Sequence, residues 1–350
     1  MSHYGICNIA LNWFADYLSD RFQFIKYRET MSPYKKISCG VPQGSVLGPT
    51  LFLIYINDLP NSTNFFNFRL FADDSNLFHT FESGETDIDM HDVSKELDKV
   101  QKWCYANKVT INLSKSNYMI IKSKRRSVQI KGDLELAGST LLQVDKASFV
   151  GLQIDKHLTW TEHIKMINAT IRSKVGILFR LRHFVPQKIL LLLYKALIQP
   201  HLMYGIEVWG STYKTNLNCV FLTQKMAMRA MTFSPRGTHS EPLFQKLNIL
   251  NVYKLHFLAV STFIYDLLHD KLPHSLTEYC QVVDHKYATR SKDRHQLYLP
   301  KCKTTHGQFS ISFLGVKLWN SIPYDVKEKK SRSAFRKGLI AYLNTQNLDT

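Results

Sequence analysis

A mostly apolar run at residues 65–81 is broken at its middle by two adjacent acids, Asp73 and Asp74. Charged carboxylates are not tolerated between packed apolar strands without a cation or hydrogen-bond donors. The chain must therefore bring them to a surface, and the economical way is to reverse: residues 65–71 run out, residues 77–81 return, and the acids sit at the tip of a hairpin. Two readings of that tip stay open. Aspartates often close plain turns by bonding their own backbone. A carboxylate pair flanked by Phe71, Ala72, Leu77 and Phe78 is also an oxygen-only ligand set suited to a hard divalent cation, Mg2+ or Mn2+, that bridges substrate phosphates.

About thirty residues upstream lies a loop with its own chemistry. Residues 38–49 contain Gly40, Gly44, Gly48, Pro42 and Pro49, followed by the apolar Leu51, Phe52, Ile54, Tyr55 and Ile56. Glycine lets backbone approach a ligand, and Gln43 carries both a donor and an acceptor for a base or sugar edge. Proline is tolerated in a first helical turn, so a helix capped near Ser45 can contain Pro49 and end before Pro60. Around this loop, periodicity predicts a helix at residues 8–20, two strands within 22–39, a helix at 87–107 and strands at 118–121 and 148–154.

Beyond Trp160 the pattern turns helical. Ile164, Ile167, Ile171, Val175 and Leu178 form an apolar stripe, with Lys165, Arg172, Lys174, Arg180 and Arg182 around it. Further helices are predicted at residues 187–204, 216–233, 254–268 and 333–343.

Charge divides as sharply as the pattern. The chain carries 45 Lys and Arg against 28 Asp and Glu, a net charge of +17. Residues 1–110 hold 10 basic and 13 acidic side chains, whereas residues 111–350 hold 35 and 15. An acidic front before a basic back suits a carboxylate metal site beside a cationic groove, and makes nucleic acid the leading partner class. A hydrophobic content of 45% excludes a disordered tail. Six unpaired-looking cysteines imply no disulfide framework, and no continuous apolar stretch reaches membrane-spanning length, so an intracellular protein without membrane association is expected, in nucleus or cytoplasm. Cys280, His285, His295, Cys302 and His306 match no compact zinc spacing.

Three segments in this order carry a resemblance: Gly40-Val41-Pro42-Gln43-Gly44-Ser45 with Leu47-Gly48-Pro49, then Tyr55-Ile56-Asn57-Asp58-Leu59-Pro60, then Phe71-Ala72-Asp73-Asp74. Together they resemble the reverse transcriptases of non-LTR, LINE-type, jockey-like retrotransposons. Asn112-Leu113-Ser114-Lys115-Ser116 resembles the motif bearing that family's candidate general-acid lysine, and Phe149-Val150-Gly151-Leu152 its primer grip. Leu158-Thr159-Trp160, residues 198–205 through Trp209-Gly210, and residues 313–323 are similar to the thumb and post-thumb regions.

The resemblance implies an α+β fold: a partial right-hand polymerase palm, an antiparallel sheet with packed helices, then a helical thumb and a mixed, mostly helical C-terminal extension. It divides the chain into partial fingers and palm at 1–160, a thumb-like region at 161–235 and an extension at 236–350. It implies RNA-directed DNA polymerase activity, with an RNA template, a DNA primer and deoxynucleotide triphosphates as partners. Two metals ~3.5 to 4 Å apart serve such a reaction. Asp73 and Asp74 would be metal ligands, Lys115 would assist pyrophosphate, Pro42, Gln43, Gly44 and Ser45 would line the template and nucleotide pocket, and Phe149, Val150, Gly151 and Leu152 would hold the primer end. Lys165, Arg172, Lys174, Arg180 and Arg182 would contact nucleic acid.

One departure matters. The family places a further metal-binding aspartate, in a Phe-Asp motif, just upstream of the segment that here begins His3-Tyr4-Gly5-Ile6, and neither Asp16 nor Asp20 stands in for it. The expectation is a truncated copy with an incomplete two-metal site and little activity alone, which leaves room for a missing upstream segment. The alternative is a non-catalytic nucleic-acid-binding remnant.

Overall fold

The computed structural model describes residues 2–82, 87–125, 127–281 and 296–346. These fall into two compact units that meet in sequence between Val144 and Asp145.

The first unit begins with helix α1 (Asn8–Leu18), followed by four short strands: β1 (Arg21–Gln23), β2 (Lys26–Tyr27), β3 (Thr30–Met31) and β4 (Lys35–Ile37). Helix α2 (Gly48–Ile56) leads to β5 (Asn67–Phe71) and β6 (Asp74–Phe78). Strand β7 (Asp87–Asp89) runs straight into α3 (Met90–Ala106). Five pieces close the unit: β8 (Asn117–Tyr118), β9 (Gln129–Lys131), β10 (Glu135–Leu136), β11 (Ser139–Thr140) and β12 (Leu142–Gln143).

Helix α3 organises the core of this unit. The Asp89 carboxylate accepts from His91 N at 2.9 Å and caps its first turn. Val93, Leu97, Val100 and Cys104 then face one way at helical spacing and are buried with Ile56, Leu59, Phe66, Leu134 and Leu136.

Mixed α+β structure is present, and the antiparallel pairing expected of it takes the form of small ladders among the described residues. Among the described residues the strands pair off in seven separate two-stranded ladders, five antiparallel and two (β7 with β9, β8 with β12) parallel. Ladders of two to five residues offer too little length to recruit a third strand, so each pair keeps open edges. Of the strand expected at 118–121, only Asn117–Tyr118 pairs.

The second unit opens on a hairpin, β13 (Lys146–Phe149) and β14 (Leu152–Asp155), and is otherwise helical. Its helices are α4 (Thr161–Leu181), α5 (Gln187–Leu197), α6 (Gln199–Met203), α7 (Ile206–Trp209), α8 (Lys214–Thr232), α9 (Glu241–Leu247) and α10 (Val252–Leu268). After residue 296 come α11 (Thr305–Gln308), α12 (Val316–Ser321), α13 (Tyr324–Lys327) and α14 (Arg332–Thr345).

The predicted α4 stripe is entirely buried, with Ile171 at 0% and Val175 and Leu178 at 1% exposure. One apolar core continues from Trp160 through α8 and α10 to Phe335, Leu339 and Leu343 of α14. The helix expected at 187–204 is broken instead: Pro200 has no N–H to donate and starts a new first turn in α6. Gly210, after α7, is required sterically, because a Cβ there would stand 2.4 Å from the His256 ring. Gln224 is fully buried and fully used: Nε2 donates to the Tyr194 hydroxyl and the Leu250 carbonyl, and Oε1 accepts from Val252 N.

No single helix among the described residues is long and apolar enough to cross a membrane. The α9 and α10 pair passes that test jointly, bent by 55°, and α10 is buried along nearly its whole length in the core. His285, His295 and Arg126 lie outside the described residues.

Candidate functional site

The acids occupy the predicted hairpin tip. The ladder of β5 and β6 closes on the pair Phe71 and Asp74, leaving Ala72 and Asp73 as a two-residue turn. Ala72 adopts φ +50°, the left-handed conformation that a tight hairpin connection demands. Asp73 and Asp74 are both exposed, and neither carboxylate joins an ion pair among the described residues. No group of three or more His, Cys, Asp or Glu side chains converges on a common point among the described residues.

The glycine loop is a built turn rather than a slack one. Ser45 N donates to the Pro42 carbonyl at 3.3 Å across Gln43 and Gly44, and Gly44 sits at φ +80°. That sign of φ at the third turn position is the reason for glycine there. Ser45 Oγ then accepts from Gly48 N at 3.0 Å and ties the turn to the first residue of α2; the N-cap position itself is Leu47, two residues past the serine expected there, and Pro49 lies in the first turn. Gln43 is exposed on this turn.

Lys115 projects from a second compact turn. Lys115 N and Ser116 N both donate to the Asn112 carbonyl at 3.1 Å, and Ser114 Oγ donates to Asn112 Oδ1 at 2.7 Å. The lysine side chain is exposed, without an ion-pair partner among the described residues.

Phe149, Val150, Gly151 and Leu152 belong to the second unit and do not form the continuous strand that β-branched and apolar residues predict at 148–154. Phe149 pairs with Leu152 at the end of the β13 and β14 ladder, and Val150 with Gly151 makes the reversal. Both have positive φ, +46° and +75°. For a β-branched residue this conformation is a genuine outlier that costs ~1 to 3 kcal/mol. It is held from outside. The Tyr204 hydroxyl donates to the Val150 carbonyl at 2.6 Å, and the Tyr204 ring lies where a Cβ on Gly151 would meet it at 3.4 Å. Gly205, at φ +61°, leaves room for the Leu152 side chain, whose carbons would stand 3.0 and 3.1 Å from an added Cβ.

The other end of the hairpin is tied by a residue that sequence reasoning missed. The Asp155 carboxylate accepts from His157 N, Thr159 N, Thr159 Oγ1 and Trp160 N at 2.8 to 3.1 Å. These bonds hold Leu158 and Trp160 at φ +50° and +61° and deliver the chain into α4. The signal was present as an aspartate two, four and five residues before backbone donors, a pattern without periodicity.

Along α4, Lys165, Arg172 and Arg180 are exposed at spacings of seven and eight, on the side away from the buried stripe. Lys165 pairs with Glu162 at 2.8 Å, and that ammonium holds the Glu162 carboxyl below its ordinary range. Lys174 is half-buried. Arg182 lies over the rings of Phe179 and Phe233, 5.2 and 5.5 Å from their centroids.

Comparison with known proteins covers both units. A family model described as reverse transcriptase (RNA-dependent DNA polymerase) matches residues 2–154. The chain is 30% identical over 249 residues to the probable RNA-directed DNA polymerase from transposon BS of Drosophila melanogaster, across 67% of this chain and 27% of that protein. It is 27% identical over 231 residues to the RNA-directed DNA polymerase from mobile element jockey of the same fly, across 63% of this chain and 24% of that protein. A third relative, the probable RNA-directed DNA polymerase from transposon X-element, is 26% identical over 250 residues, across 68% and 26%. The chain thus spans about a quarter of the length of these relatives. No solved structure matches.

Proposed function

We propose that the chain carries a reverse transcriptase domain like those of non-LTR mobile elements, in keeping with the family match over residues 2–154 and the similar polymerases, and that it supplies the Asp73 and Asp74 portion of an RNA-directed DNA polymerase site. The observation that carries this reading is the exposure of Asp73 and Asp74 at the hairpin tip, where neither joins an ion pair among the described residues. Two oxygen donors without a preformed cage fit Mg2+ or Mn2+, which takes one or two carboxylates and completes its shell with substrate phosphates and water. Bound there, the cation would supply charge neutralisation at the reacting phosphate and a more acidic primer hydroxyl.

The chain's own groups would do the rest. Gln43 offers a donor and an acceptor on a rigid turn, and Gly44 leaves the backbone open to a sugar or base. Pro42 and Ser45 set that turn and the start of α2. Lys115, in no ion pair among the described residues, carries a positive charge suited to departing pyrophosphate. Phe149, Val150, Gly151 and Leu152 would seat the primer terminus, and Lys165, Arg172, Lys174, Arg180 and Arg182 would hold phosphates of the RNA template and DNA primer. The division into partial palm, thumb-like region 161–235 and extension 236–350 belongs to this proposal.

The resembled family adds a Phe-Asp aspartate to this carboxylate motif, and among the described residues no third His, Cys, Asp or Glu side chain converges with Asp73 and Asp74. We therefore infer weak extension by these residues alone, since losing ~4 kcal/mol of barrier lowering costs about a thousandfold in rate. The test is primer extension in Mg2+ with this chain, with and without a separately supplied fragment bearing that motif. Extension is expected only with the fragment, and Asp73→Asn should abolish it. Robust synthesis by the chain alone overturns the inactivity, whereas Asp73→Asn that leaves complementation and Mn2+ binding intact favours a nucleic-acid-binding remnant.

A further inference from the structure

We propose that Tyr204 is a positioning residue for the primer terminus, acting through the Val150–Gly151 turn. The inference rests on the reading of residues 149–152 as the segment that seats the primer end.

The turn does not hold itself. Hairpin reversals with two positive φ values favour Asn-Gly or Gly-Gly, and here the first position is a β-branched valine at φ +46°. Something outside the hairpin must select this shape, and the structure supplies it from 54 residues away in sequence. The Tyr204 hydroxyl donates to the Val150 carbonyl, and its ring packs on the Gly151 Cα. Tyr204 is itself anchored: Trp209 Nε1 donates to the Tyr204 carbonyl at 2.7 Å, and Trp209 is fully buried. Gly205 lets the next residue pass under Leu152. Hydrogen bonds thus link the turn, through the tyrosine, to the core.

The exposure of Tyr204 separates positioning from packing. Tyr204 is 53% exposed, so it adds little to the core, and its polar end is spent on one carbonyl of one strained turn. A valine in this conformation also explains why a tether is needed where glycine would manage alone.

The experiment uses the full chain bound to an RNA template annealed to a DNA primer ending in 2-aminopurine. Overall affinity is read by anisotropy of a label at the far end, and the terminus by 2-aminopurine fluorescence. Tyr204→Phe keeps the ring and removes only the hydroxyl. It should leave affinity within about twofold and reduce the terminus response about fivefold, the population change expected for one hydrogen bond. A terminus response unchanged by Tyr204→Phe overturns the inference while the primer-end reading stands. A wild-type chain that binds duplex without any terminus response overturns both.

Discussion

Replacing Asp155 should cost more than its half-buried position alone suggests. Its carboxylate takes four donors, His157 N, Thr159 N, Thr159 Oγ1 and Trp160 N, within 3.1 Å. A net hydrogen bond contributes about 0.5 to 1.5 kcal/mol, and water reaches part of this turn, so Asp155→Ala should lose about 2 to 4 kcal/mol in all. The two left-handed residues, Leu158 and Trp160, are then left without the bonds that offset their strain. Asp155→Asn keeps one acceptor oxygen and should lose about half as much. Urea unfolding of the second unit, followed through Trp160, Trp209 and Trp319, should show its midpoint fall by ~1 to 2 M for the alanine variant at a slope near 2 kcal/mol/M. If alanine moves the midpoint by less than ~0.3 M, or if Asn and Ala are equally harmful, the carboxylate does not organise this turn.

Gln224→Met should be destabilising by about 3 kcal/mol by chemical denaturation, since it strands the Leu250 carbonyl and Val252 N in a dry core; a loss under ~1 kcal/mol would contradict the assignment. Burial pushes the His256 imidazole down to about 4. Below the ordinary histidine range the unfolded chain takes up a proton that the folded chain refuses, so stability falls as pH drops from about 6.5 toward 4, by up to ~3 kcal/mol. His256→Gln should flatten that part of the stability profile, and an unchanged profile would count against it. Arg172→Ala with Arg180→Ala should weaken duplex binding alike for all sequences and lower the slope of log affinity against log salt by about 2, measured by anisotropy; an unchanged slope would place the phosphates elsewhere.

The acid hairpin was legible because its cues are local: strands that return on themselves around two charges that cannot be buried. The α4 stripe was legible for a similar reason, since Ile164 to Leu178 repeat within one element. Part of what stayed hidden depends on partners distant in sequence, whereas the Asp155 turn is local but carries no periodicity. Val150 reads as strand interior by its side chain, and only Tyr204, far along the chain, makes it a turn residue. Pro200 was visible but not decisive, because proline also sits comfortably in a first helical turn. The pairing of strands into separate ladders, two of them parallel, follows from tertiary contacts that composition does not encode.

The shared core of the second unit has a consequence for how this polypeptide tolerates loss. Phe335, Leu339 and Leu343 are each fully buried against the same interior that receives Ile171 and Val175. The last helix thus acts as a keystone for an arch whose first stone is α4. Progressive shortening from the far end should produce an abrupt collapse once α14 is breached, taking the basic helix down with it.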